Sequence, residues 1–140
     1  LGPEANVVRS IVGEGARIMG EVSGSVIGAG VEIGEGARIT DSIIMENAVI
    51  GAGTMADKAI IAENTVIGAG CIVGEGEYAE NVYNPKVYAF DLVTISENSV
   101  IPDGVCIGRN TAISGETCPE DYIGGKLAAG HVIIKEVGPA

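Results

Sequence analysis

An all-β chain of short parallel strands wound into a coil is the fold class this sequence predicts, on three observations. A motif of six residues recurs along most of the chain, as in AENTVIGAGCIVGEG from Ala62 to Gly76. Whole stretches repeat at a spacing of seventeen: SVIGAGVEIGEGARITD from Ser25, SIIMENAVIGAGTMADK from Ser42 and AIIAENTVIGAGCIVGEG from Ala59. Glycine or asparagine keeps falling just ahead of a small residue. A six-residue period fits neither a helix, at about 3.6, nor a plain strand, at about 2, but it suits short strands separated by tight corners.

Each element follows from that spacing. Apolar residues return at Ile27, Ile33 and Ile39, then Ile44, Ile50 and Ala56, then Ile61, Ile67 and Val73, and mark strands whose inward side chains fill the axis of a tube. Three strands close a triangular coil. Coils stack at about 4.8 Å, so that backbone groups pair with the coils above and below. The corners need a residue at positive φ, which glycine adopts freely and asparagine better than most. Gly30, Asn47, Asn64, Gly70, Asn98 and Asn110 are the structural corner residues on this reading. The residue after each points into a narrow space and must be small. SIVGEGARIMGEVSG, from Ser10 to Gly24, is a shortened first copy, and the period resumes at Val93 with Ile101, Ile107 and Ile113.

The expected organisation is one domain over residues 1–140, with about five to six coils at about 7–76 and 93–118. The period lapses in an excursion over 77–92 that carries Tyr78, Tyr83, Tyr88 and Phe90, four of the five aromatic residues. A loop folded against the outside of the coil is the expectation, and a docking surface for another domain or subunit the alternative. Residues 119–140 should form a cap, with a turn after Cys118 and a final strand around Val132 to Ile134 covering the open end.

Composition narrows the function. A formal net charge of -11 disfavours nucleic acid and anionic membranes, because neutralising phosphates requires clustered Lys and Arg. No apolar run is long enough to span a membrane and the first residues lack a signal-peptide pattern, so a soluble, cytoplasmic product is expected. Cys71, Cys106 and Cys118 form no C-x-x-C pair, which suggests neither a disulfide framework nor a zinc site. GAGVEIGEG imitates a phosphate loop, but the same glycines recur as corners and no G-x-x-x-x-G-K-[ST] or G-x-G-x-x-G is present. His131, the only histidine, lies in the tail and not in a coil, and no serine or cysteine has a histidine near it in the pattern. No catalytic or metal-binding residue is assigned.

The register places charges. A shift of seventeen stacks Asp41, Lys58 and Glu75, and a shift of fifteen across the short first coil sets Arg17 beside Glu32. Arg9 and Arg38 find no acidic neighbour this way, Met55 lying one coil above Arg38, and they are the effector-binding candidates for an anionic ligand.

The repeat resembles that of the left-handed parallel β-helix proteins, and the resemblance alone implies the hand, against the general right-handed crossover rule. The short first coil ending in GEVSGSVI, the following DSIIMENAVIGAG and the late VTISENSVIPDGVCIG resemble the C-terminal β-helix of bacterial glucose-1-phosphate adenylyltransferases, the ADP-glucose pyrophosphorylases of glycogen synthesis. The likeness covers nearly the whole chain. It implies a parent enzyme whose separate N-terminal domain converts ATP and glucose 1-phosphate, with magnesium, to ADP-glucose and pyrophosphate. It also implies a β-helix that supports a homo- or hetero-tetramer and helps bind allosteric effectors where it meets the catalytic domain.

With no nucleotide loop and a first residue, Leu1, that is not methionine, the chain is expected to be an excised C-terminal domain. It should be catalytically silent and without a cofactor of its own. Its expected partners are its catalytic domain, other subunits and an anionic metabolite. Two departures from the family bear on the effector. The second coil reads Gly30, Val31, Glu32, Ile33 where many relatives read G-V-R-V, and Ser96 and Glu97 stand where sugar-phosphate sensors often carry lysine. Weak or altered effector control is therefore expected. The rival is a trimeric hexapeptide acyltransferase using CoA or acyl carrier protein, which needs a coil histidine and a basic path. A purely structural or ice-binding coil would show aligned T-x-T arrays, and Thr40, Thr54, Thr65 and Thr94 do not stack that way.

Overall fold

A computed structural model describes residues 6–75 and 92–135. The aromatic residues Tyr78, Tyr83, Tyr88 and Phe90, on which the docking alternative rested, lie outside the described residues. The first coil comprises β1 (Asn6–Val8), β2 (Ile11–Val12) and β3 (Arg17–Ile18), and the second β4 (Glu21–Ser23), β5 (Val26–Ile27) and β6 (Glu32–Ile33). The third and fourth follow as β7 (Arg38–Thr40), β8 (Ile43–Ile44) and β9 (Val49–Ile50), then β10 (Met55–Asp57), β11 (Ala59–Ile61) and β12 (Val66–Ile67). β13 (Ile72–Glu75), β14 (Val93–Ile95) and β15 (Val100–Ile101) make the fifth. β16 (Cys106–Gly108), β17 (Thr111–Ser114), β18 (Lys126–Leu127) and β19 (Val132–Ile134) complete the stack.

Through β17 every third strand joins one parallel sheet. The first sheet runs β1-β4-β7-β10-β13-β16-β18, the second runs from β2 to β19, and the third has the five strands β3-β6-β9-β12-β15. The result is a parallel β-solenoid of about seven turns, consistent with the left-handed class. It is longer than the five to six coils expected. Lys126–Leu127 and Val132–Ile134 pair in parallel with β16 and β17, so the tail extends two sheets instead of only covering their edges.

Twelve isoleucines, one per strand at most, are the largest fully buried side chains. In the third sheet Ile18, Ile33, Ile50, Ile67 and Ile101 stack directly on one another. Burying each such side chain contributes about 1.5 to 3 kcal/mol. Small residues line the corners inside the tube: Val31, Ala37, Ala48, Thr54, Thr65 and Cys71 are all fully buried.

The corners are of two kinds. Where the inward residues are six apart, the turning residue is glycine or asparagine: φ is 70° at Gly30, 60° at Asn47, 58° at Asn64, 67° at Gly70 and 57° at both Asn98 and Asn110. Between the first and second sheets the inward residues of the early coils are only five apart, as from Ile39 to Ile44, which makes the repeat seventeen and not eighteen. That corner turns on a single residue, and φ is 48° at Arg9, 60° at Gly24, 48° at Asp41 and 52° at Lys58. Sequence reasoning had reserved positive φ for glycine and asparagine.

A hydrogen-bonded ladder secures this short corner. Ser25 and Ser42 each donate a hydroxyl to a carbonyl two residues back, at 2.9 and 2.8 Å. The same hydroxyl oxygens accept the N–H of the next coil, from Ser42 to Ser25 and from Ala59 to Ser42, both at 3.0 Å. Each buried hydroxyl is thereby satisfied on both sides.

The first coil is short because the chain crosses from the third sheet back to the first in fewer residues. The shift is fifteen from Ile18 to Ile33 but already seventeen from Glu21 to Arg38. Gly20 occupies the bypass, and a Cβ there would lie 2.3 Å from the Ala37 carbonyl oxygen. At the far end Glu116 bridges to Val100, and a 3-10 turn spans Pro119–Asp121. Tyr122 then turns inward, only 4% exposed. Its hydroxyl is 2.8 Å from that of Thr117, whose own proton goes to the Val100 carbonyl at 2.6 Å, so the phenol is the donor.

Candidate functional site

Arg38 opens β7 on the outer surface of the first sheet. Its register neighbours are Met55 on one side and Glu21 on the other. The Arg38 Nε lies 3.3 Å from a Glu21 carboxylate oxygen, with both side chains more than half exposed. The expectation that Arg38 has no acidic partner is therefore corrected. The fifteen-residue shift of the first coil ends at Ile18, so Glu21 already belongs to the seventeen-residue register and falls beneath Arg38.

The shortened crossing leaves a groove of about 240 Å³ beside this pair, lined by Met19, Gly20, Glu21, Glu35, Gly36, Ala37 and Arg38. It holds one guanidinium and two carboxylates. An anion entering it would exchange repulsion from two charges for attraction to one, and an exposed pair of this kind contributes about 0 to 1 kcal/mol.

Arg9 stands on the exposed single-residue corner after β1, and the residue stacked one coil above it, Gly24, carries no side chain. Among the described residues Arg9 has no ion pair. The fold does not bring the two arginines together. Arg38 heads its strand whereas Arg9 follows the end of another, about 10 Å along the strand direction and two coils, about another 10 Å, along the axis. Arg17 and Glu32 are neighbours in register, but no ion pair joins them. Asp41 and Lys58 share the positive-φ column, and the Glu75 side chain lies outside the described residues.

Two charged contacts were not foreseen from the sequence. Arg109 reaches Asp57 at 2.8 Å, with side-chain exposures of 18% and 38%. This contact ties the fourth coil to the sixth across Gly74, where φ is 91° and a Cβ would lie 2.2 Å from the Asp57 carbonyl oxygen. A glycine in β13 on the path between the two is the signal that could have found it. The second contact joins Lys135 to Asp121 at 2.9 Å, while the other Asp121 oxygen accepts the Cys118 N–H at 2.8 Å. The Lys135 hydrogen bond, followed by that of the Cys118 backbone, lowers the Asp121 carboxyl to about 2.

Neither Cys118 nor Cys71 is armed for covalent chemistry. The Cys118 thiol is pushed up by its hydrogen bonds to Glu120 and Asp121, and burial pushes Cys71 up. Both thiols stay protonated near neutrality. His131 is exposed at the corner between β18 and β19, in the last turn of the solenoid and not outside the coils as the spacing suggested. Among the described residues no group of three His, Cys, Asp or Glu side chains could hold a metal ion, and no helix is long and apolar enough to cross a membrane.

Known proteins carry a similar sequence. It is 54% identical to a glucose-1-phosphate adenylyltransferase of Lachnospira eligens over 135 residues, which is 96% of this chain and 32% of that protein. It is 46% identical to the enzyme of the same name from Thermotoga maritima over 137 residues, again 32% of the relative. The chain thus spans about a third of the length of the curated relatives it matches. Among solved structures, the acetyltransferase domain of PglB from Neisseria gonorrhoeae aligns over 96% of this chain and 48% of its own, at 20% identity and a TM-score of 0.30. Residues 2–87, more than half of the chain, match the family described as GlmU-like, C-terminal hexapeptide, and the chain belongs to that family.

Proposed function

We propose that this chain is the C-terminal assembly and regulatory domain of a glucose-1-phosphate adenylyltransferase, itself without catalytic activity. The observation that carries the proposal is the 54% identity over 96% of this chain to an enzyme of that name, of which it spans only 32%. On this reading ATP, glucose 1-phosphate and magnesium are handled by the remainder of the parent enzyme, which forms ADP-glucose and pyrophosphate in glycogen synthesis. The β-helix contributes a rigid body on which subunits and the catalytic domain dock.

An anionic effector would meet Arg9 before Arg38, because Glu21 already engages Arg38 and Glu35 lies across the same groove. Effector control through this domain should be weak. The acyltransferase alternative would have to use His131, which is exposed at the corner between β18 and β19 in the last turn.

The test is to assay pyrophosphate release from ATP and glucose 1-phosphate with the isolated chain and with the full product of its gene. Activity in the full product and none in the chain is expected. A gene product without that activity overturns the proposal. Strong activation by fructose bisphosphate that disappears on Arg38→Ala alone would overturn the effector part.

A further inference from the structure

The outer face of the second sheet differs from the other two. Its outward column runs from Ile11 through Val26, Ile43 and Ile60 to Thr94 without a charge. The corresponding column of the first sheet carries Glu21, Arg38 and Lys126, and that of the third carries Arg17 and Glu32. Ile11 is 70% exposed, Val26 43% and Ile43 42%. A contiguous apolar stripe of this kind marks a contact surface more often than scattered exposed residues do.

Charged corners flank the stripe on both sides. On the side of the first sheet stand Arg9, Asp41 and Lys58, and on the side of the third stand Glu14, Glu46 and Glu63, all exposed. We propose that this face packs on the same face of a second copy, about a two-fold axis parallel to the solenoid. The charges select that axis. It places each copy's first corner over the other's second corner at the same level, so Arg9 meets Glu14 and Lys58 meets Glu63 of the second copy. Asp41 against Glu46 is the one unfavourable pairing, and it lies between the two favourable ones. The alternative two-fold, along the strands, reverses one solenoid and leaves each rim facing its own kind. Arg9 would then oppose Lys58, and Glu14 would oppose Glu63. The apolar stripe would be buried either way, but only the first arrangement gives it complementary rims.

The area sets the strength. Four rungs at about 4.8 Å, with the rim side chains, offer on the order of 400 Å² per copy, at the low end for a specific contact. The isolated chain should therefore dimerise weakly, at tens to hundreds of micromolar. The inference deepens the assembly part of the proposed function by naming its surface, and it does not depend on which reaction the parent enzyme performs.

Sedimentation velocity of the 140-residue chain between about 10 µM and 1 mM tests it. Concentration-dependent dimers are expected. Ile43→Glu, a substitution of an outward side chain, should abolish them while leaving the circular dichroism spectrum unchanged. Val26→Glu serves as the second variant if that one fails to fold. Arg9→Glu should weaken the dimer roughly fivefold to tenfold through two symmetric rim pairs, and Arg9→Glu combined with Glu14→Arg should restore it. A dimer strengthened by Arg9→Glu would overturn the parallel axis. A dimer untouched by Ile43→Glu would overturn the surface while leaving the assembly reading intact, and a chain monomeric up to 1 mM would overturn the proposal outright.

Discussion

The repeating body over the first four coils and the closing segment after β17 are held together by different forces. In the body each coil contributes buried isoleucines and paired backbone, and in the second and third a serine hydroxyl bonds a carbonyl of its own coil and an N–H of the next. In the closing segment one coil's strand in the third sheet is replaced by a 3-10 turn, and titratable side chains do the fastening: Tyr122 to Thr117, and Lys135 to Asp121. Repetition makes the body insensitive to the identity of surface residues. Closure depends on a few groups with no copies elsewhere, and it should respond to pH where the body does not.

The largest test of this difference removes an axis residue. Ile61→Ala leaves a cavity in the fourth coil and should cost about 2 to 5 kcal/mol in urea unfolding, independent of pH between 5 and 9. Ser42→Ala, next in size, leaves the Ala59 N–H without a partner, while the Thr40 carbonyl keeps the Lys58 N–H, and should cost about 1 to 3 kcal/mol. A smaller loss would mean that water enters the corner.

Tyr122→Phe should cost about 1 kcal/mol at neutral pH, from one lost hydrogen bond. Its pH signature is more telling. Burial pushes the phenol up to about 12 from 10.0, so the folded chain keeps a proton that the unfolded chain releases first. That stability is complete below pH 10 and is lost as the pH rises toward 12. Thermal melts of the unsubstituted chain should fall across this window, and those of Tyr122→Phe should fall less. The smallest effect belongs to Asp121→Asn. The carboxyl is lowered to about 2 from 3.8, so its contribution is present above pH 4 and lost as the pH falls toward 2. Solvent screens this partly exposed pair, so the variant should be only slightly less stable above pH 4, and the difference should vanish as the pH falls toward 2. Equal acid limbs would show that the closing segment is not fastened through Asp121.

The axis was legible because its residues must be both apolar and periodic. The glycine and asparagine corners were legible because few residues tolerate positive φ. The single-residue corners at Arg9, Asp41 and Lys58 were not, since stacked backbone hydrogen bonds hold a positive φ whatever the side chain, as when Lys58 donates its N–H to the Thr40 carbonyl at 3.0 Å. The turn count was underestimated because the hexad pattern breaks between Cys118 and Gly125, while the pairing of Lys126 with Cys106 depends on the fold and not on spacing. For the candidate site, the position of Arg38 was readable but its partner was not. Finding Glu21 required knowing on which side of Gly20 the first coil loses its residues.

The constant seventeen-residue register also governs how the chain can fold. After the fifteen-residue first coil, each strand of the body finds its partner at the same separation, so the entropy of closure is nearly equal at every coil and a nucleus can form at any of them and spread to its neighbours. The junction between β13 and β14 breaks this equality. Val93 must find Ala59 across thirty-four residues, twice the usual separation. That doubling costs only about 0.6 kcal/mol in closure entropy, but it divides the chain into two zippers, and the Asp57–Arg109 contact is made only after they have joined.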